Sequence, residues 1–102
     1  MERKYSMNDQ AYYIIRGDRS GVFFGQITQR HDREVTLTNC RRVWYWAGAN
    51  SLSQLAAEGV KEPLSCRISM PVEELTVLDA IELIRCTDAA VENIKAVPEW
   101  KR

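Results

Sequence analysis

Two arginines, two tryptophans and a tyrosine lie together in one hexapeptide, Arg41-Arg-Val-Trp-Tyr-Trp46. Guanidinium groups pair with phosphate or carboxylate oxygens, and indole rings can stack on nucleotide bases. The hexapeptide therefore combines the two kinds of group that a nucleotide-binding surface needs. Read as a strand, it has two faces, because successive side chains alternate: Arg42, Trp44 and Trp46 on one, and Arg41, Val43 and Tyr45 on the other.

The residues that follow predict a helix start, which would add backbone donors to the same site. Gly48-Ala49-Asn50 breaks the strand. Ser51 is a natural N-cap, and Gln54 follows at the capping-box spacing. Gly59 suits the C-terminal end of this helix. Free N–H groups at a helix start attract anions such as phosphate. The candidate ligand-binding residues are therefore Arg41, Arg42, Trp44, Tyr45, Trp46, Asn50 and Ser51.

A competing interpretation treats the same segment as an ordinary core strand and a docked helix, with the arginines at the rim. The residues by themselves favour this interpretation, because many domains place a capped helix after a strand. The glycines also fit neither a P-loop nor a dinucleotide-binding fingerprint. Composition and spacing leave both interpretations open.

The elements that would position these residues are mostly short strands. Strands are predicted at residues 11–16, 22–30, 34–39, 41–46, 66–70 and 80–85. A kink at Thr38-Asn39 would either separate two strands or bend a continuous one. Residues 72–77 fit a strand or a loop, and a helix over residues 72–84 is the main alternative.

Together these elements predict an α+β fold. Its sheet would be a small, strongly curved antiparallel sheet or a partly open barrel. One central short helix is predicted at residues 51–58 and a short C-terminal helix at residues 88–94. Residues 1–9 are polar and predicted to form a flexible tail, which leaves residues 10–102 as a single globular domain.

Two glycine-containing segments carry further expectations. Gly25 lies inside a predicted strand, which indicates a bulge or the close approach of another backbone. Gly17-Asp-Arg-Ser-Gly21 is small, polar and basic, so it could form one wall of an anion pocket. A plain surface loop is the favoured interpretation of this segment.

Catalytic and metal-binding patterns do not emerge from the sequence. Cys40, Cys66 and Cys86 are singly and widely spaced, which is typical of reduced, buried thiols. The two arginines after Cys40 could lower the pKa of its thiol. Glu73 and Glu74 would point to opposite faces of a strand. We therefore expect a binding protein that is not an enzyme and that uses no metal and no cofactor.

The overall charge narrows the range of partners. Fourteen basic and fourteen acidic residues balance to a net charge of zero. Binding to duplex nucleic acid is therefore not expected, nor is binding to a membrane surface, because both depend on concentrated positive charge. The sequence also contains no apolar run of membrane-spanning length, and residues 1–6 lack the apolar core of a signal peptide, so export is not expected.

The hexapeptide and the segment Ser51-Leu-Ser-Gln-Leu-Ala56 resemble a family of small phage and prophage proteins with a domain of unknown function. The resemblance covers residues 11–101 and extends to further segments: Ile15-Arg16, Ser20-Gly-Val22, Gly25, Val35–Gly59, Ala80-Ile-Glu-Leu-Ile84, Cys86-Thr87 and Val97-Pro-Glu-Trp100. This chain has Gly17 where the family often has threonine or serine, so the resemblance implies no role for residues 17–19.

The resemblance implies a phage protein that acts in the host bacterial cytoplasm. Our first expectation is a homo-oligomer that sequesters a nucleotide immune signal, either a cyclic oligonucleotide or an ADP-ribose derivative. The alternative is an inhibitor that contacts a host defence protein, such as a CRISPR effector, through Arg41, Tyr45 and Trp100. A minor virion component is the third possibility.

Overall fold

The computed structural model describes residues 11–101 and shows an α+β fold with six strands and two short α-helices. The elements in chain order are β1 Tyr12–Gly17, β2 Val22–His31, β3 Glu34–Tyr45, α1 Leu52–Glu58, β4 Arg67–Ile68, β5 Val72–Val77, β6 Ala80–Arg85 and α2 Asp88–Lys95, with a 3₁₀ turn at Pro63–Ser65 between α1 and β4. The predicted fold class is confirmed. The helical alternative for residues 72–84 is wrong, since β5 and β6 occupy that segment. The tail predicted at residues 1–9 lies outside the described residues.

The sheet is antiparallel and strongly curved. Its strand order is β4-β3-β2-β1-β6, and β5 also pairs with β3. The first half of β3 pairs with β5, and its end pairs with β4. Only Leu78 and Asp79 separate β5 from β6, yet these two strands pair with β3 and β1, on either side of β2. The sheet must therefore curl back toward itself, and it remains open between β5 and β6.

A bend in β3 allows it to pair with two short strands in succession. β3 is continuous, but Asn39 has a φ of 50°, and the pairing register with β2 shifts between Phe24 and Gln26. A Cβ atom at Gly25 would lie 3.1 Å from the Cα of Cys40 and 3.2 Å from the carbonyl oxygen of Thr38. Both expectations for Gly25, a bulge and a close backbone approach, are thus confirmed.

The two faces of the sheet carry separate cores. Ile14 and Phe24 belong to the core that α1 and α2 cover. Ile15 and Phe23 belong to a second core on the opposite, concave face, which only strand residues form. Adjacent residues in β1 and β2 serve different cores, as alternation along a strand requires. This alternation also sends Arg41 and Arg42 to opposite faces, because they pair with Phe24 and Phe23.

Candidate ligand site

Arg41 is buried between β3 and the end of α2, with 4% of its surface exposed. Its Nε donates to the carbonyl of Ser69 at 2.7 Å. Its Nη1 donates to the carbonyls of Ile94 at 2.9 Å and Val97 at 2.8 Å. Loss of solvent lowers the pKa of the guanidinium, while the charge of Glu99 opposes that shift. The structure thus gives Arg41 a role inside the fold, where its charge stabilises the end of a helix.

Arg42 lies on the concave face and is half-buried. Its guanidinium carbon is 4.7 Å from the centroid of the Phe23 ring, a cation–π contact. Its Nη1 donates to the carbonyl of Ser20 at 3.0 Å. Arg42 borders an open depression of about 460 Å³. We call this depression the Arg42 basin and define it by six lining residues: Arg19, Phe23, Arg42, Leu75, Leu78 and Asp79.

One edge of the Arg42 basin is the loop of residues 17–21, which binds the carboxylate of Asp79. The backbone N–H groups of Arg19 and Ser20 donate to Oδ2 of Asp79 at 2.8 and 3.1 Å, and the Ser20 hydroxyl donates to Oδ1. The Ser20 hydroxyl and these N–H groups hold the pKa of Asp79 below its usual range. The donors of loop 17–21 therefore bind an internal anion, and the loop ties the β5–β6 turn to the side chain of Arg42 through Ser20.

Replacing Asp79 by asparagine should lower the urea midpoint at pH 7, because the loop loses its anion. The folded-state pKa of Asp79 is lowered, so its stabilising effect is present above the unfolded-state value of about 4 and is lost as the pH falls through the folded-state pKa. The difference between the wild type and Asp79→Asn should therefore shrink in acid. A difference that stays constant from pH 7 to pH 2.5 would contradict this role of the carboxylate.

The aromatic residues of the hexapeptide separate from one another. Trp44 is 54% exposed, and its ring meets the ring of Trp100 edge-on at 5.7 Å. Tyr45 is 52% exposed and pairs with Arg67 of β4. Trp46 is half-buried and packs against the core under the helices. The predicted common face of Trp44 and Trp46 is lost, because β3 ends at Tyr45 and its register shifts after Val43.

Asn50 and Ser51 form the cap of α1. The Ser51 hydroxyl accepts from the N–H of Gln54 at 3.1 Å, and the Gln54 side-chain oxygen accepts from the N–H of Asn50 at 2.8 Å. The predicted N-cap with Gln54 as its partner is confirmed, although the return bond goes to Asn50 rather than to Ser51 itself. The cap thus uses the Asn50 N–H, one of the backbone donors that the sequence suggested for phosphate, together with the Ser51 hydroxyl.

The sequence model of a family described as "Domain of unknown function (DUF6948)" matches residues 10–94. The chain belongs to the DUF6948 family. No curated protein and no solved structure matches the chain. All six defining residues of the Arg42 basin lie within the matched region, whereas Trp100 lies beyond its end.

Four residues of the Arg42 basin were not predicted from the sequence of this DUF6948 domain: Phe23, Leu75, Leu78 and Asp79. Leu78 and Asp79 connect residues 72–77 to the strand predicted at residues 80–85, and connecting segments run over the surface, so the sequence does indicate that Leu78 is exposed. Leu78 is in fact 70% exposed. The contact between Arg42 and Phe23 depends on the register of β2 against β3, which no local pattern specifies.

All three cysteines are buried and free, as predicted. Burial raises the pKa of Cys40 to about 11, and it outweighs the charge of Arg42, which lowers this pKa as expected. Burial also raises the pKa of Cys86 to about 12. A thiol protonated at neutral pH is a poor nucleophile. Within residues 11–101, no group of three His, Cys, Asp or Glu residues could hold a metal ion, and no helix is long and apolar enough to cross a membrane.

Proposed function

We propose that this DUF6948 protein is a non-catalytic binding protein that holds a nucleotide immune signal, a cyclic oligonucleotide or an ADP-ribose derivative, in the Arg42 basin. By removing this signal from solution, a phage-encoded protein of this kind would blunt a host defence system. One observation carries the proposal: Arg42 lies over the Phe23 ring at the edge of a depression of about 460 Å³ with apolar walls.

The guanidinium of Arg42 can contact both the base and the phosphate of a nucleotide. Phe23 supports one side of it, so the opposite side can stack on a base, as arginine planes do in nucleotide recognition. A guanidinium has five N–H donors, and the bond to Ser20 is the hydrogen bond it makes within residues 11–101. The remaining donors can bind phosphate oxygens, for which arginine geometry is well suited.

The size and walls of the Arg42 basin suit a small organic anion. Ligand pockets typically have volumes of about 300–1,000 Å³ and mostly apolar linings with a few polar groups. Leu75 and Leu78 supply apolar surface here, Phe23 lies buried beneath Arg42, and Arg19 and Arg42 supply positive charge. A flat base with an attached phosphate has this combination of properties.

The charge of the Arg42 basin is positive despite the presence of Asp79. Two arginines line the depression, and both carboxylate oxygens of Asp79 already accept hydrogen bonds from the 17–21 loop. The protein as a whole has a net charge of zero, so attraction of an anion must come from these local groups. Such a site would bind its ligand with moderate dependence on salt, because it is partly screened by solvent.

The first experiment is a thermal-shift panel of cyclic oligonucleotides and ADP-ribose derivatives on the purified protein. A ligand at one hundred times its dissociation constant should stabilise the fold by about 2.7 kcal/mol, which corresponds to a rise in Tm of about 10 °C for a domain of this size. Adenosine and inorganic phosphate are the matched controls, since each carries only half of the recognised chemistry. Absence of a shift with every member of the panel would overturn the proposal in favour of a protein partner.

A further inference from the structure

A depression beside Arg41 lies on the helix-covered face of the sheet, on the opposite side of β3 from the Arg42 basin. Its volume is about 270 Å³. We call it the Arg41 depression and define it by its six lining residues: Tyr12, Phe24, Asn39, Arg41, Pro71 and Lys95. Tyr12 and Phe24 are buried, and their rings stack with centroids 4.9 Å apart, so the core fixes this side of the depression.

The guanidinium of Arg41 has two N–H donors that the fold does not use. Its bonds to Ser69, Ile94 and Val97 use Nε and both hydrogens of Nη1, which leaves Nη2 without an acceptor within residues 11–101. In this part of the chain every fully buried side-chain nitrogen or oxygen has a hydrogen-bond partner. Nη2 must therefore reach solvent, although only 4% of Arg41 is exposed, and the Arg41 depression is an opening to solvent that Arg41 lines.

The Arg41 depression is positively charged. Lys95, in the last turn of α2, also lines it, and its Nζ lies 5.4 Å from the centroid of the Tyr12 ring. None of the six lining residues is acidic, and within residues 11–101 Lys95 forms no ion pair. The charge of Glu99 acts on Arg41, but its carboxylate pairs with Lys101 at 3.3 Å. The end of α2 adds only about half a negative charge, so the two cations dominate.

We propose that the Arg41 depression binds a small oxyanion, the carboxylate or phosphate group of a small molecule, between Nη2 of Arg41 and Nζ of Lys95. A guanidinium with two free donors forms short, charge-assisted bonds to such a group, and limited access of water strengthens them. The volume of about 270 Å³ is just below the usual range of about 300–1,000 Å³ for ligand pockets, which favours a small ligand. This site is independent of the Arg42 basin, because Arg41 and Arg42 face opposite sides of the sheet.

The test is a ¹⁵N–¹H NMR titration of the full-length protein with sodium acetate and, separately, with sodium phosphate, at an ionic strength held constant with sodium chloride. At least one of the two anions should give saturable chemical-shift changes, with a Kd of about 1–10 mM for so small a probe. The largest changes should fall on the Nε–H signal of Arg41 and on the amides of Asn39 and Lys95. The anion that binds more tightly identifies the acidic group of the ligand.

Lys95→Gln is the variant that tests the site, because Arg41→Ala would also remove three structural hydrogen bonds. It removes the charge of an exposed side chain and keeps most of its length. Affinity for the anion should fall about 3- to 10-fold, since a partly solvated charge contact is lost. Lys61→Gln, at another exposed lysine that lies outside the depression, is the matched control and should leave the affinity unchanged.

Chemical-shift changes that increase without saturation for both anions would overturn the proposal. Saturable changes centred on the amides of Ser20 and Arg42 would also overturn it, because the anion would then occupy the Arg42 basin, and they would leave the proposed nucleotide site standing. The third contradictory outcome is a Lys95→Gln variant that binds the anion no more weakly than Lys61→Gln does. The ¹⁵N–¹H spectrum of each variant shows whether it is folded, and the wild-type titration locates the site without any variant.

Discussion

Replacing Arg41 by alanine is expected to lower the free energy of unfolding by about 3–5 kcal/mol. The guanidinium donates to three carbonyls, those of Ser69, Ile94 and Val97, in a place where water has little access. Alanine would leave these oxygens without their donor and would open a cavity beneath α2. Since domains of this size are stable by only about 5–15 kcal/mol, the loss would be a large part of the total.

The loss of stability is measured by urea unfolding at pH 7, with tryptophan fluorescence as the signal. Arg42→Ala is the control, because it removes the same side chain one residue later, on the other face of β3. This second variant should lose only about 1 kcal/mol, the scale of one half-buried hydrogen bond and one cation–π contact. If Arg41→Ala and Arg42→Ala were equally stable, the structural role given to Arg41 would be wrong.

When nucleotide affinity is measured, Arg42→Ala should show a larger loss than Arg41→Ala, which is the reverse of their order in stability. Arg42→Ala is expected to weaken nucleotide binding about 10- to 100-fold, because one charge-assisted phosphate contact is typically associated with about 1.5–3 kcal/mol. Arg42→Lys should recover part of this loss, since lysine keeps the charge but not the planar surface for stacking. Affinity is measured by isothermal titration with the nucleotide that gives the largest thermal shift.

Arg16→Ala is the matched control for this titration. Arg16 is an exposed arginine of β1 that pairs with Glu82 at 3.3 Å, outside the Arg42 basin. Its removal should leave the affinity unchanged within about twofold, because Arg16 does not line the Arg42 basin. Equal losses for Arg16→Ala and Arg42→Ala would indicate general electrostatic attraction rather than a site at Arg42.

Local features of the fold were predictable because neighbouring residues determine them. The cap of α1 is encoded by Ser51 and Gln54 at a fixed spacing, and the end of the helix by Gly59, whose φ is 78°. The bulge at Gly25 follows from the absence of a side chain where Cys40 approaches. Alternating apolar residues also identified the strands that build the curved sheet.

The ligand site was less predictable because it depends on long-range contacts. Alternation correctly placed Arg41 and Arg42 on opposite faces, but nothing local indicates that α2 covers the face of Arg41. The sequence near Arg42 also does not indicate that Phe23 lies beneath its guanidinium. Nor does it indicate that Leu78, from the β5–β6 turn, lines the same basin. The raised pKa of Cys40 was unpredictable for the same reason, since burial of its thiol is a property of the assembled core.

The most direct test of a ligand site at Arg42 is a ¹⁵N–¹H NMR titration of the wild-type protein with the nucleotide selected by the thermal-shift panel. We predict that the largest chemical-shift changes fall on the amides of Ser20, Phe23, Arg42 and Leu78, which come from three separate parts of the chain and meet at the Arg42 basin. The indole signals of Trp44 and Trp100 should move little. The largest changes at those indoles, with an unchanged Arg42 amide, would contradict the proposed site.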